Sequence, residues 1–132
     1  MEKVLLDTNI LLAATIQPDV LPHDIQQQLK DPACMVFFST ASIWEIAIKR
    51  SLGRESFDFE PEDIYRLALE TGFTELPVVS SHCFALTRMA WHHRDPFDRL
   101  LVSQAQAIPA YLFTSDRVLE KYSELVRKIS LS

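Results

Sequence analysis

Glycine is nearly absent from this chain: two residues in 132, Gly53 and Gly72. Loops of the GxGxxG or GxxxxGK[ST] kind need several glycines to let backbone approach phosphate, so nucleotide binding of that sort is excluded. Each glycine instead stands where a helical pattern stops, as a residue that ends a helix. Cysteine is equally scarce. Cys34 and Cys83 form no CxxC spacing, which leaves neither a disulfide framework nor a thiolate metal site and fits free thiols in a reducing, cytoplasmic setting. His92 and His93 lack a third nitrogen or sulfur ligand at useful spacing and read as exposed turn residues rather than a zinc site. No stretch approaches the ~20 apolar residues of a membrane span. The apolar run at the N-terminus is interrupted by Asp7 and Asn9 and has no small-residue cleavage site, so neither a signal peptide nor a membrane partner is expected. Basic residues are also in the minority, 13 against 18 acidic, for a net charge of −5. That balance argues against a passive nucleic-acid coat, which leans on Lys and Arg to neutralise phosphate. An enzyme that meets phosphate through metal ions remains compatible with it.

What is present is an ordinary globular composition, 48% hydrophobic and 23% charged, in a length suited to one domain over residues 1–132. Short runs rich in β-formers occur at residues 4–6, 35–38, 110–114 and 126–129, with an extended segment at 73–79. Helical patterns lie between them, at residues 9–16, 22–30, 40–52, 61–71 and 82–92, from Asp95-Pro96 onward, and at 117–122. Ser80 or Ser81 is the expected cap of the helix at 82–92. Strands alternating with helices predict an α/β, three-layer architecture, a mainly parallel central sheet flanked by helices.

The acidic residues fall at the junctions of these elements. Asp7 follows the first buried strand, where it either caps the next helix or holds a cation. The helix over 40–52 is apolar around most of its circumference and is expected to be largely buried, except for a stripe of Ser42, Glu45 and Lys49. Ser42 and Glu45 fit a capping box if the helix starts at Ser42; with a start at Ser39 or Thr40, Glu45 is interior and faces the strand ends. Asp95-Pro96 is a strong helix start, and Asp98 follows in the first turn of a nearly all-apolar helix. Asp116 sits in the turn after the strand at 110–114. Carboxyl ends of parallel strands share one edge. One acidic site there is a more economical account than four or five independent caps. Clustered carboxylates repel unless cations intervene, and oxygen-only ligation favours Mg²⁺ or Mn²⁺.

The segments LLDTN, SIWEIAIK, HRDPFDRLLVSQA and TSD, in this order over essentially the whole chain, resemble PIN-domain ribonucleases, in particular VapC-type toxins of bacterial toxin–antitoxin pairs. The resemblance implies a metal-dependent endoribonuclease, commonly a homodimer, that is inhibited by a co-expressed antitoxin. By motif it implies an acidic metal site of Asp7, Glu45, Asp98 and Asp116. Thr8, Asn9 and Ser42 are implied as close supports, Thr114 or Ser115 as holding water or a ligand, and Asp95 as an extra acid of a subset of such proteins. Near relatives often carry Gly-Lys-Leu after the WEIAIK helix; Gly53-Arg54-Glu55 stands there instead. Lys49, Arg94 and Arg99 are candidates for contacts to RNA phosphate or for pairing with the acids, with pairing favoured for Lys49 by its spacing from Glu45. Two rivals are a binding module on the same fold without catalysis, and a metal-dependent phosphatase of another α/β family. A haloacid-dehalogenase-type phosphatase needs an Asp where Asn9 stands, and a phospho-receiver needs adjacent acids before Asp7.

Overall fold

The computed structural model describes residues 2–53, 58–90 and 95–132. The Arg54-Glu55 loop, His92, His93 and Arg94 lie outside them.

The first strand, β1 (Glu2–Leu6), occupies the centre of a five-stranded parallel sheet ordered β3-β2-β1-β4-β5. Its partners are β2 (Cys34–Ser39) on one side and β4 (Tyr111–Thr114) on the other. The outer strands are β3 (Thr74–Leu76) and β5 (Val126–Lys128). Val4, Leu5 and Leu6 are fully buried because both faces of the sheet are covered. Alternation divides them. Val4 and Leu6 join Ile10, Leu11, Phe38, Ile46 and Ile64 in one core. Leu5 and Leu112 join Leu101, Val102, Ala105 and Leu119 in the other.

The helices are α1 (Thr8–Ile16), α2 (His23–Lys30), α3 (Thr40–Ser51), α4 (Pro61–Glu70), α5 (Ser80–Phe84) and α6 (Pro96–Ala107). Short 3₁₀ segments at Ala85–Arg88 and Arg117–Lys121 complete the part that matters for the site. Gly53 and Gly72 both hold positive φ, 70° and 96°, as residues that end helices.

Two expectations are corrected. The helix begun near Ser80 stops at Phe84 and continues only as a 3₁₀ turn, and its first turn is capped not by a serine but by His82, whose Nδ1 accepts from the Val79 amide at 3.1 Å. Helix α3 is not buried all round. Trp44 is 60% exposed, while the polar residues Ser42 and Glu45 are the buried ones, so the polar stripe faces inward.

Strand order reverses at β1: the chain first builds outward through β2 and β3, then returns to β4 on the other side. A parallel sheet forms its crevice at such a reversal, beyond the carboxyl ends of the two diverging strands. Here that is the edge between β1 and β4, where the Asp7 amide donates to the Phe113 carbonyl at 3.0 Å. Leu5 is the test of this central packing. Leu5→Ala should cost about 2–5 kcal/mol of unfolding free energy, read as a lowered urea midpoint at unchanged slope; a loss below 1 kcal/mol would mean that the centre of the sheet is not close-packed.

Candidate functional site

Asp7 is carried out of the central strand to the point of strand reversal and is buried there. It has the cap role: its Oδ1 accepts from the Ile10 amide at 2.9 Å at the start of α1. The Thr114 hydroxyl at the end of β4 and the Ser115 amide also donate to its carboxylate. Those bonds do not cancel the cost of burial. The Asp7 carboxyl is raised from 3.8 to about 6 on balance: removal from water pushes it up most, the three hydrogen bonds pull it down, and the negative charge of Glu45 adds a further rise.

Glu45 reaches the same place from α3. The helix is capped by Ser39, whose Oγ accepts from the Ala41 amide at 3.0 Å. The start at Ser39 removes the capping-box reading of Ser42 and Glu45 and places Glu45 in the helix interior. Glu45 is buried and held at both oxygens. The Thr8 hydroxyl donates to Oε1 at 2.6 Å, and Lys49 Nζ lies 2.7 Å from Oε2. Thr8 Oγ1 also lies 3.0 Å from Ser42 Oγ. With its single proton committed to the carboxylate, Thr8 accepts there from Ser42.

The other two acids enter differently. Asp116 is connected to Asp7 through Thr114: its amide donates to Thr114 Oγ1 at 3.0 Å, while its own Oδ1 accepts from the Val118 amide at 2.9 Å and caps the 3₁₀ segment. Asp98 stands in the first turn of α6, half-buried, and α6 is brought against α3 by an edge-to-face contact of Trp44 with Phe97 at 5.2 Å. Asp95 caps that helix, its Oδ1 accepting from the Phe97 amide at 2.9 Å.

The remaining candidates sort clearly. Thr8, Ser42, Thr114 and Ser115 lie within the hydrogen-bonded cluster. Asn9 is exposed and lines a neighbouring apolar groove instead. Lys49 is paired with Glu45. Arg99 was a candidate for phosphate contact or for pairing with the acids; it is buried, and its Nη2 donates to the Leu86 carbonyl at 3.1 Å, so it ties the preceding segment to α6. Sequence reading gave no role to the buried polar set of His82, Ser103 and Gln104, in which Ser103 Oγ donates to the His82 carbonyl at 2.6 Å. The signal was available: Ser103 and Gln104 interrupt the apolar stretch from Leu100 to Ala105.

Among the described residues, no three acidic, imidazole or thiol side chains converge closely enough to hold a metal ion as they stand. The donor chemistry nevertheless suits a hard cation: oxygen atoms only, and a buried carboxylate whose charged form lacks full compensation.

A family model described as PIN domain matches residues 4–125. Among solved structures, the chain is similar to VapBC2 from Rickettsia felis bound to a DNA fragment from their promoter (16% identity, TM-score 0.69, 97% of this chain and 99% of that one). It is similar to a domain of a functionally unknown protein from Methanocaldococcus jannaschii DSM 2661 (16%, 0.64, 100% and 94%). A third similar structure is VapBC-1 from nontypeable Haemophilus influenzae (16%, 0.61, 96% and 97%). No curated protein sequence matches the chain.

Asp7 makes the pH dependence of the metal-free protein predictable. Its folded value is raised above 3.8, so the folded state holds the proton more tightly than the unfolded one between pH 3.8 and about 6. The stability from protonated Asp7 is complete below 3.8 and is lost as pH rises through about 6, a change of about 3 kcal/mol. In the presence of EDTA, Asp7→Asn should flatten this part of the stability–pH curve and raise Tm at pH 7.5. An unchanged slope in the variant would place the titration elsewhere.

Proposed function

The chain belongs to the PIN domain family, and on that premise we propose that it is a Mg²⁺- or Mn²⁺-dependent endoribonuclease, the toxin of a toxin–antitoxin pair. Members of the family are nucleases. The observation that carries the reading to this chain is Asp7: a buried carboxylate at the strand reversal, incompletely compensated, joined through Thr8 and Thr114 to the segments that carry Glu45 and Asp116.

In this reading Asp7, Glu45, Asp98 and Asp116 hold the cation. When bound, a divalent ion lowers the pKa of water and stabilises the oxygens of a phosphodiester undergoing in-line displacement. Thr114 fixes the Asp7 carboxylate by donating to it, and Thr8 with Ser42 fixes Glu45. Lys49 balances the Glu45 charge, and its ammonium is the candidate among these residues for a phosphate oxygen. Asp95 holds the first turn of α6, and with it Asp98, in place. The rival reading as an inactive binding module gains nothing from these contacts, since all four acids are retained.

Two of the similar structures are VapBC complexes, which supports an antitoxin protein as partner. An apolar groove of about 220 Å³ runs beside Asn9, lined by Leu12, Ala13, Ile16, Val20, Phe59 and Leu131, and suits an apolar segment of such a protein. Among the described residues no helix is long and apolar enough to cross a membrane. A cytoplasmic homodimer acting on RNA is the corresponding biological setting.

Purified protein freed of antitoxin should cut a mixed cellular RNA pool at defined positions with Mg²⁺ or Mn²⁺ and not with EDTA. A folded Asp98→Asn variant should be slower on the order of 10²–10³-fold, as when one charge-stabilising group is removed. Cutting that survives both EDTA and Asp98→Asn would overturn the acidic-site mechanism.

A further inference from the structure

Away from the acids, α6, the 3₁₀ turn Ala85–Arg88 and the 3₁₀ segment Arg117–Lys121 enclose an open pocket of about 360 Å³. Its polar lining is Arg88, Gln106, Lys121 and Tyr122, set around an apolar patch that includes Met89, and among the described residues no acid lines it. In a chain of net charge −5 it brings two cations to one cavity. Three basic side chains elsewhere do have acidic partners: Lys49 with Glu45, Arg50 with Asp58 and Glu60, Arg66 with Asp63 and Glu70. Among the described residues, Arg88 and Lys121 have none within ion-pair distance.

The elements around the pocket also lead to the acidic edge. Helix α6 starts at the Asp95 cap, carries Asp98 in its first turn and reaches the pocket at Gln106. The segment bearing Lys121 starts at the Asp116 cap. The turn bearing Arg88 is tied to the first half of α6 by Arg99, through the Leu86 carbonyl. Gln106 lies eight residues beyond Asp98 along α6, a rise of ~12 Å. With one phosphate per roughly 3.4 Å of strand axis in a duplex, and more in an extended single strand, that spans on the order of two to four phosphates.

We propose that the Arg88–Lys121 pocket binds a backbone phosphate of the RNA substrate a few nucleotides away from the scissile bond. The inference rests on the ribonuclease reading. Guanidinium, ammonium and amide donors around one cavity match the oxygens of a phosphodiester, and the small apolar patch suits the adjoining ribose. The pocket thereby sets a minimum substrate length, because an RNA too short to span from Asp98 to Gln106 forgoes it.

The test compares wild type with Arg88→Gln, Lys121→Gln and the double variant on RNAs of three and twelve nucleotides. Binding is measured in EDTA across a salt series, and cleavage with Mn²⁺. For the longer RNA the double variant should bind on the order of tenfold more weakly at physiological salt, and its log–log salt slope should fall by about 1.4, two single-strand contacts' worth. KM should rise at unchanged kcat, and the trinucleotide should be indifferent to both substitutions. If wild type binds and cleaves the longer RNA and the double variant matches it in affinity and salt slope, the pocket is no part of the RNA path and the proposal falls alone. Equal losses on both RNAs would place the cations at the scissile bond and overturn the distance argument. If wild type neither binds nor cleaves RNA, the ribonuclease reading itself fails and takes this inference with it.

Discussion

Burial of the Asp7 carboxylate at the end of the central strand is the constraint around which the neighbouring residues are arranged. Two backbone amides and the Thr114 hydroxyl donate to it, yet its carboxyl still sits near 6, so desolvation outweighs all three. A carboxylate kept in that condition is a poor structural device. Asp7 would cap α1 just as well from a solvated position, at no such cost. The strand reversal explains why it is placed there nonetheless: no other junction in the sheet opens between two diverging connections.

The residues around it manage charge at close range. Glu45 is a second buried acid within electrostatic reach of the first, and Lys49, one helical turn later, supplies the compensating charge. Thr8 and Thr114 follow the same logic from the two strands beside the reversal. Each is a small hydroxyl at or just past the end of a buried strand, and each gives its proton to a carboxylate from a different segment. Orientation of Asp7 is therefore set by uncharged donors, whereas Glu45 is held by the Thr8 hydroxyl and the Lys49 ammonium together.

Much of this was legible in the sequence because its signals were local. Apolar runs marked the four main strands, Asp95-Pro96 marked the start of α6, and the TSD turn marked the end of β4. The i, i+4 spacing of Glu45 and Lys49 gave their pairing. What was not legible depended on neighbours distant in the chain. Helix α3 looked buried because it is apolar, but its inward face is fixed by Thr8 and the end of β1, so the polar stripe turned in and Trp44 turned out. Arg99 stood as a candidate for phosphate contact or acid pairing beside an acid-rich turn; its buried position depends on the Leu86 carbonyl, which no periodicity reveals. The His82 cap replaced a serine cap because an imidazole at the third helical position reached back to the Val79 amide.

The register of β1 against β4 has a kinetic consequence. The first strand is completed only when the Asp7 amide meets the Phe113 carbonyl, more than a hundred residues later in the chain. Contacts of such separation form late and slowly, since the loop between them must be closed before any of its entropy is recovered. During synthesis Asp7, Glu45 and Asp98 are all made before their enclosing strand exists. An unfinished chain therefore carries most of the acids but no crevice in which to hold them. The topology itself acts as a timer that withholds the crevice beside Asp7 until β4 has been made.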